Sequence, residues 1–261
     1  MKIGLIGNGA IAGMVSYFCL ARPADFELVG ALTLSRSAPS AGRHPLTDSL
    51  DVLLAMRPRM IVECAGHTAV AAHATDILTA GVDLIIASTG SLADARLLES
   101  IRQATAASSA RVRAPAGALP GVDALSAARL GGLSSVTLRS AKPPRAWAGT
   151  AAEPACRLDA ITAATILFEG DARQAALTYP KNANVAATAA LAGLGFERTK
   201  VQLVADPALS CNVHRLEAAG AFGEMALEVR ANPAPGNPKT SYLAALSIMR
   251  LLENETAGIA V

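Results

Sequence analysis

The chain has 261 residues, of which 52% are hydrophobic but only 3% aromatic and 17% charged. That is enough for one large domain or two modest ones, folding through helices and aliphatic packing. A formal charge of +2, with basic residues scattered in no run longer than a pair, argues against a nucleic-acid partner. The four cysteines, Cys19, Cys64, Cys156 and Cys211, lack CxxC spacing and read as free thiols in a reducing compartment. Apolar stretches are interrupted before the roughly 20 residues a bilayer requires, and a strand-like run begins at once. A cytoplasmic protein with no membrane span is expected.

From residue 1 to 115, short β-like runs alternate with helical segments. The strands are expected at Lys2–Ile6, Glu27–Leu34, Met60–Cys64, Asp83–Ala87 and Arg111–Arg113. The helices are expected at Ala10–Ala21, Ser49–Met56, Thr68–Ala80 and Leu92–Ser108. Such alternation predicts a Rossmann-type parallel sheet, hence an α/β first domain over 1–115. After a Gly/Pro/Ala segment at 115–121 comes a helical stretch. Longer runs then follow at Leu133–Ala141, Lys200–Ala205, Val213–Ala218 and Met225–Arg230, with a helix at Ala183–Leu194. Consecutive strands predict a second, α+β domain over 116–238 with a mostly antiparallel sheet. The tail, 239–261, reads as a helix with Leu243, Leu246, Met249 and Leu252 on one stripe, packing on one of the two domains.

The strongest local signal is Gly7-Asn8-Gly9-Ala10-Ile11-Ala12, a GxGxxA turn that leaves a strand and opens a helix. Gly7 suits a tight turn, Gly9 lets backbone approach a pyrophosphate, and Ala12 lets the helix lie close to the strand. Unpaired N–H groups at Gly9, Ala10 and Ile11 would face the phosphates. Asp25 and Glu27 stand before and at the start of the second strand, the wrong end for a ribose 2′-hydroxyl. At the useful end lie Ser35 and Arg36, and Arg36 suits a 2′-phosphate or is simply a solvated loop residue. NAD or NADP is therefore expected, with NADP tolerated. Glu63, at the end of the third strand, is a weaker candidate for a ribose contact.

Polar groups gather in three later segments, around Lys181-Asn182-Ala183-Asn184, Cys211-Asn212-Val213-His214 and Asn237-Pro238-Lys239-Thr240. Lys181 and Lys239 are candidates for binding a carboxylate, with Asn182, Asn212 and Thr240 as neutral donors; both lysines read equally as exposed loop residues. The 237–240 segment alternatively caps the last helix. Of the four histidines, His44 lies in a Pro/Gly/Arg loop, and His67 and His73 do not share a helical face, so no metal site is expected. His214, on a strand beside Asn212 and Arg215, is by position alone more often structural. Cys64 and Cys211 sit in apolar runs and read as inert thiols.

The sequence resembles the L-aspartate dehydrogenases. The resemblance rests on the GxGxxA turn, the stretch containing Gly117, Ala118, Gly121 and Asp123-Ala124-Leu125, PKNANVAATAALAG (180–193), CNVH (211–214), GAFGE (220–224) and NPKTSYLAALS (237–247). It covers essentially the whole chain and departs at Ala116, where many members have Ser. It implies a Rossmann domain joined to an α+β catalytic domain, usually a homodimer. The implied reaction takes L-aspartate, NAD(P)+ and water to oxaloacetate, ammonium and NAD(P)H, feeding nitrogen or NAD metabolism. It also implies His214 as the catalytic histidine, and Ala118 and Asn184 as cofactor contacts. A histidine suits this chemistry because its ordinary pKa lies near neutrality. Two other readings stay open: a reductase of another acidic imine or keto compound, and a non-catalytic dinucleotide sensor.

Overall fold

The first five residues after Met1, Lys2–Ile6, form strand β1, and the chain turns at Gly7 into helix α1 (Ala10–Leu20). The computed structural model describes residues 1–33, 44–180, 184–235 and 237–260, with backbone alone at 237–239. Next come β2 (Glu27–Leu32), a short β3 (Leu46–Thr47), α2 (Leu50–Ala55), β4 (Met60–Glu63), α3 (His67–Thr79), β5 (Asp83–Ile86), α4 (Ala95–Ala107) and β6 (Val112–Arg113). All six strands run parallel in the order β3-β2-β1-β4-β5-β6. The order reverses between β1 and β4, the position at which open α/β sheets bind ligands beyond the carboxyl ends of their strands.

The central strands of this sheet are mostly apolar and buried on both faces, as parallel strands covered by helices must be, with the carboxylates of Glu63 and Asp83 buried at the end of β4 and the start of β5. Helix starts follow from side-chain caps: Ser49 accepts from the Val52 N–H for α2, and Asp94 accepts from the Arg96 and Leu97 N–H groups for α4. The Asp94 cap divides the expected Leu92–Ser108 helix into a 3-10 turn at Thr89–Ala93 and α4.

The chain forms two compact units, 1–115 with 244–261, and 116–243. The second contains α5 (Val122–Gly131), β7 (Leu133–Lys142), β8 (Thr165–Asp171), α6 (Ala172–Thr178), α7 (Asn184–Ala192), β9 (Lys200–Ala205), β10 (Asn212–Gly220), β11 (Gly223–Ala231), β12 (Pro233–Ala234) and β13 (Asn237–Ser241). Its five-stranded sheet has the order β11-β10-β7-β9-β8, with three antiparallel ladders and one parallel ladder between β7 and β9. Alternation sorts the side chains. Val136, Leu138, Leu216 and Ala218 are buried, whereas Arg139, Arg215, Glu217, Glu228 and Arg230 turn to the opposite, exposed face. Helices α5, α6 and α7 pack on one another and on strands of this sheet.

Two expectations need correction. Residues 239–241 belong to β13, so the last helix, α8, starts at Tyr242 and ends at Asn254. Its buried stripe is Ala245, Ile248 and Leu252, while Leu246 is exposed. Ile248 and Leu252 join Ile3, Leu5, Val15 and Met60 in the core of the first unit. Just beyond the helix, Glu255 pairs with Arg113 at 2.8 Å. The segment β8–α6 carries no clean period. Ile166 is exposed, and the side chains of β8 are otherwise exposed or half-buried, so neither a strand nor a helix pattern stands out.

Candidate active site

In the first unit, the carboxyl edge of the parallel sheet is shaped by glycine. Gly7 adopts φ +103°, and its N–H donates to the Leu32 carbonyl at 2.8 Å. A Cβ there would lie 3.0 Å from the Cys64 carbonyl oxygen and 3.1 Å from the Ala65 Cβ, so only glycine fits both the conformation and the space. Gly9 is the N-cap of α1. No side chain caps it, no acidic residue occupies the first turn, and a Cβ built at Gly9 would meet nothing within 4 Å. Open space in front of uncapped helical N–H groups is what a pyrophosphate requires. Ala12, 2% exposed, is small enough for α1 to lie against the sheet. These residues fit a dinucleotide.

Glu63, by contrast, is turned inward. Its carboxylate, 1% exposed, accepts from the N–H groups of Ala65 and Gly66 at 2.7 Å, and from the N–H and hydroxyl of Ser88 at 3.0 Å. Four donors occupy it, which corrects its expected role as a ribose contact. Glu63 instead ties the loop after β4 to the loop after β5. Cys64 next to it is held protonated, because desolvation and the Glu63 charge push its thiol up.

In the second unit, cross-strand register brings polar groups together on an otherwise apolar face. Ser140 of β7 pairs with His214 of β10, and its Oγ lies 3.0 Å from the imidazole Nδ1. Two residues along β7, on the same face, is Lys142. Its Nζ lies 5.4 Å from the Trp147 ring centroid, and Trp147 is fully buried with its indole N–H donating to the Val204 carbonyl at 3.2 Å. Burial lowers the Lys142 ammonium to about 8. Burial first, and the Lys142 charge second, lower His214 to about 3. The expectation of an imidazole near neutrality is thereby corrected for the protein alone.

A family model described as "Aspartate dehydrogenase, C-terminal" matches residues 123–255, and one described as "Homoserine dehydrogenase, NAD binding domain" matches residues 7–115. The chain is 43% identical to the L-aspartate dehydrogenase of Polaromonas sp. and 47% identical to that of Ralstonia nicotianae, covering 100% of both partners in each comparison. The chain belongs to the aspartate dehydrogenase family. A crystal structure of aspartate dehydrogenase from Thermotoga maritima matches it with TM-score 0.81 at 30% identity, covering 100% of this chain and 99% of that one.

The sequence-predicted residues of this aspartate dehydrogenase family member divide by place. Gly7, Gly9, Ala10, Ile11 and Ala12 form the turn and first helical residues described above. His214 and Asn212 share β10, with His214 3% exposed and Asn212 half-buried at the strand's start. Asn184 is the first residue of α7 and is half-buried. Ala118, 4% exposed, lies in the connection before α5, between the left-handed Gly117 and Gly121. Thr240 is half-buried on β13. Ser35, Arg36, Lys181 and Asn182 lie outside the described residues, as does the side chain of Lys239. Ser140 and Lys142 were missed, although period 2 carried one residue beyond Ala141 puts both on the inward face with Leu138. No group of three or more potential metal ligands occurs among the described residues, and no described helix is long and apolar enough to cross a membrane.

Proposed function

We propose that the chain oxidatively deaminates L-aspartate: L-aspartate, NAD(P)+ and water give oxaloacetate, ammonium and NAD(P)H through iminoaspartate. The bound dinucleotide supplies the hydride acceptor. The Gly7–Ala12 turn would hold its pyrophosphate through backbone N–H groups, with Ala118 and Asn184 as further contacts. Ser35 and Arg36 would lie toward the adenosine ribose. His214 would act as acid and base on the substrate side, with Asn212, Lys181, Lys239 and Thr240 as candidate substrate contacts.

The observation that carries this reading is the His214–Ser140 pair, an imidazole positioned by a hydroxyl on a buried sheet face of a chain in this family. In the tautomer with Nδ1–H donating to Ser140 Oγ, Nε2 keeps its lone pair. That nitrogen would take a proton from the water that attacks the imine carbon, then return it as the amine leaves. A homodimer, a cytoplasmic location and a place in nitrogen or NAD metabolism belong to the same proposal, on the strength of family membership.

The test is purified protein with NAD+ or NADP+ and a panel of amino acids, followed by absorbance of the reduced coenzyme. Turnover with L-aspartate above all others supports the proposal. Turnover only in reverse, with a different keto acid and ammonia, replaces it with the reductase reading, and coenzyme binding without any turnover replaces it with the sensor. In the same assay Arg36→Ala should weaken NADP selectively, by about tenfold, and equal loss for both coenzymes would refute that role.

A further inference from the structure

Between β7 and β8 the chain runs through residues 143–164 without an α-helix or strand, making only two 3-10 turns, Pro144–Trp147 and Leu158–Ala160. A connection of that length is uncommon in a compact domain, and where it is ordered it usually carries function. This one is held in place along its length. Trp147 plugs it into the core, fully buried, with its indole N–H donating to the Val204 carbonyl at 3.2 Å. Thr150 then folds it back: its hydroxyl donates to the Trp147 carbonyl at 2.6 Å and accepts from the N–H of Ala152, a residue 1% exposed, at 3.3 Å. The two 3-10 turns pack on each other.

This connection frames an open cavity of about 700 Å³, within the range of small-molecule sites. Pro144, Ala148, Leu158 and Ile161 give it an apolar lining, while Arg145, Glu153, Arg157 and Asp159 give it charge. His214, Ser140 and Asn212 do not line it. The four charges are not equivalent. Arg157 and Asp159 neutralise each other at 3.2 Å with both side chains mostly in solvent, where such a pair contributes little. Glu153 accepts from the Gly149 N–H through Oε2 at 2.7 Å, which fixes the carboxylate and leaves Oε1 open. Arg145 has no side-chain hydrogen bond or ion pair among the described residues. One guanidinium and one carboxylate therefore border the same apolar hollow without being paired to each other.

We propose that this cavity binds the zwitterion of an α-amino acid with an apolar side chain, at a site separate from the imidazole cluster. The Arg145 guanidinium takes the carboxylate, Glu153 takes the ammonium, and Leu158 and Ile161 cover the side chain. Each part of the lining selects. A simple anion gains Arg145 but is repelled by Glu153, a simple cation meets the reverse, and a short polar amino acid leaves the apolar wall uncovered. None of the groups proposed for the deamination takes part, so the site is independent of that reading.

The experiment is calorimetric titration of L-norleucine into the full-length protein, without coenzyme so that nothing turns over, in the presence and absence of excess L-aspartate. Hexanoate, which lacks the ammonium, and pentylamine, which lacks the carboxylate, are the controls. Wild type binds L-norleucine with Kd on the order of 1 mM, and both controls at least about tenfold more weakly. Arg145→Met and Glu153→Gln change exposed side chains and keep the wild-type melting curve, and each weakens L-norleucine at least about tenfold. Excess L-aspartate leaves the affinity unchanged. No binding of L-norleucine by wild type, hexanoate or pentylamine bound as tightly as L-norleucine, or full affinity in either variant overturns the inference. Displacement by L-aspartate also overturns it, because the amino acid would then occupy the site of the deamination. If the binding results hold while aspartate is not oxidised, the deamination proposal fails and the second site stands.

Discussion

The glycine turn of the first unit and the imidazole cluster of the second present their chemistry by opposite means. The turn works through backbone and is contiguous, so Gly7 to Ala12 carry both the shape and the N–H groups in six successive residues. The cluster works through side chains on strands that meet only after folding, since Ser140 and His214 are 74 residues apart. One is fixed by steric exclusion at a single φ angle, and the other by the register of a ladder. Change in the first should therefore be felt in coenzyme binding and stability, and change in the second in turnover.

The largest effect that sharpens this contrast is His214→Ala. Loss of proton transfer should lower kcat by about 10²–10⁴-fold, while coenzyme affinity by fluorescence titration stays within about twofold. Substantial remaining turnover would remove the imidazole from the reaction.

Gly7→Ala probes the opposite region. A side chain at φ +103° pressed on the Cys64 carbonyl should cost about 1–3 kcal/mol. Thermal unfolding would show it, together with weakened dinucleotide binding; a melting curve and coenzyme affinity like those of wild type would contradict the steric account.

Glu63→Gln is close to Gly7→Ala in size. The amide presents an NH2 where the carboxylate accepted only, so donors from Ala65, Gly66 or Ser88 are left unpaired. Denaturant unfolding should register a loss of about 1–3 kcal/mol, with coenzyme affinity falling as the two loops loosen. A neutral outcome would mean the loops hold their shape without it.

Smallest on turnover is Ser140→Ala, which leaves the buried Nδ1 of His214 without its partner; it should slow kcat about three- to tenfold and lower stability in denaturant unfolding by about 1–3 kcal/mol.

The cluster also leaves a mark on stability against pH. His214 is lowered from 6.5 to about 3 on folding, so its neutral form is favoured in the folded protein. Its stabilising contribution is complete above the unfolded value and is lost as pH falls from 6.5 toward 3. In His214→Leu that part of the acid limb should flatten, as urea midpoints across this range would report.

What the sequence discloses follows the same division. The parallel strands and their helices are legible because buried apolar runs and Gly are local signals, whereas the Asp94 cap is passed over and the helix start placed at Leu92. Strand β8 is hidden because an exposed edge strand carries no regular alternation. Helix α8 hides its true stripe because Leu243 and Leu246 outweigh Ala245 by hydrophobicity, whereas burial is decided by which face meets the core around Ile3 and Leu5. His214 is found through a motif that resembles the family's. Lys142 is passed over because it ends an apolar strand just before Pro143-Pro144, where a lysine reads as a loop charge. Only the ladder between β7 and β10 shows that it shares a face with the imidazole.

The central claim is that hydride leaves Cα of aspartate for the nicotinamide. L-Aspartate deuterated at Cα, incubated with NAD+ or NADP+ and the protein, should give reduced coenzyme one mass unit heavier, with oxaloacetate formed in equal amount. Reduced coenzyme without deuterium, or none at all from L-aspartate, would contradict it.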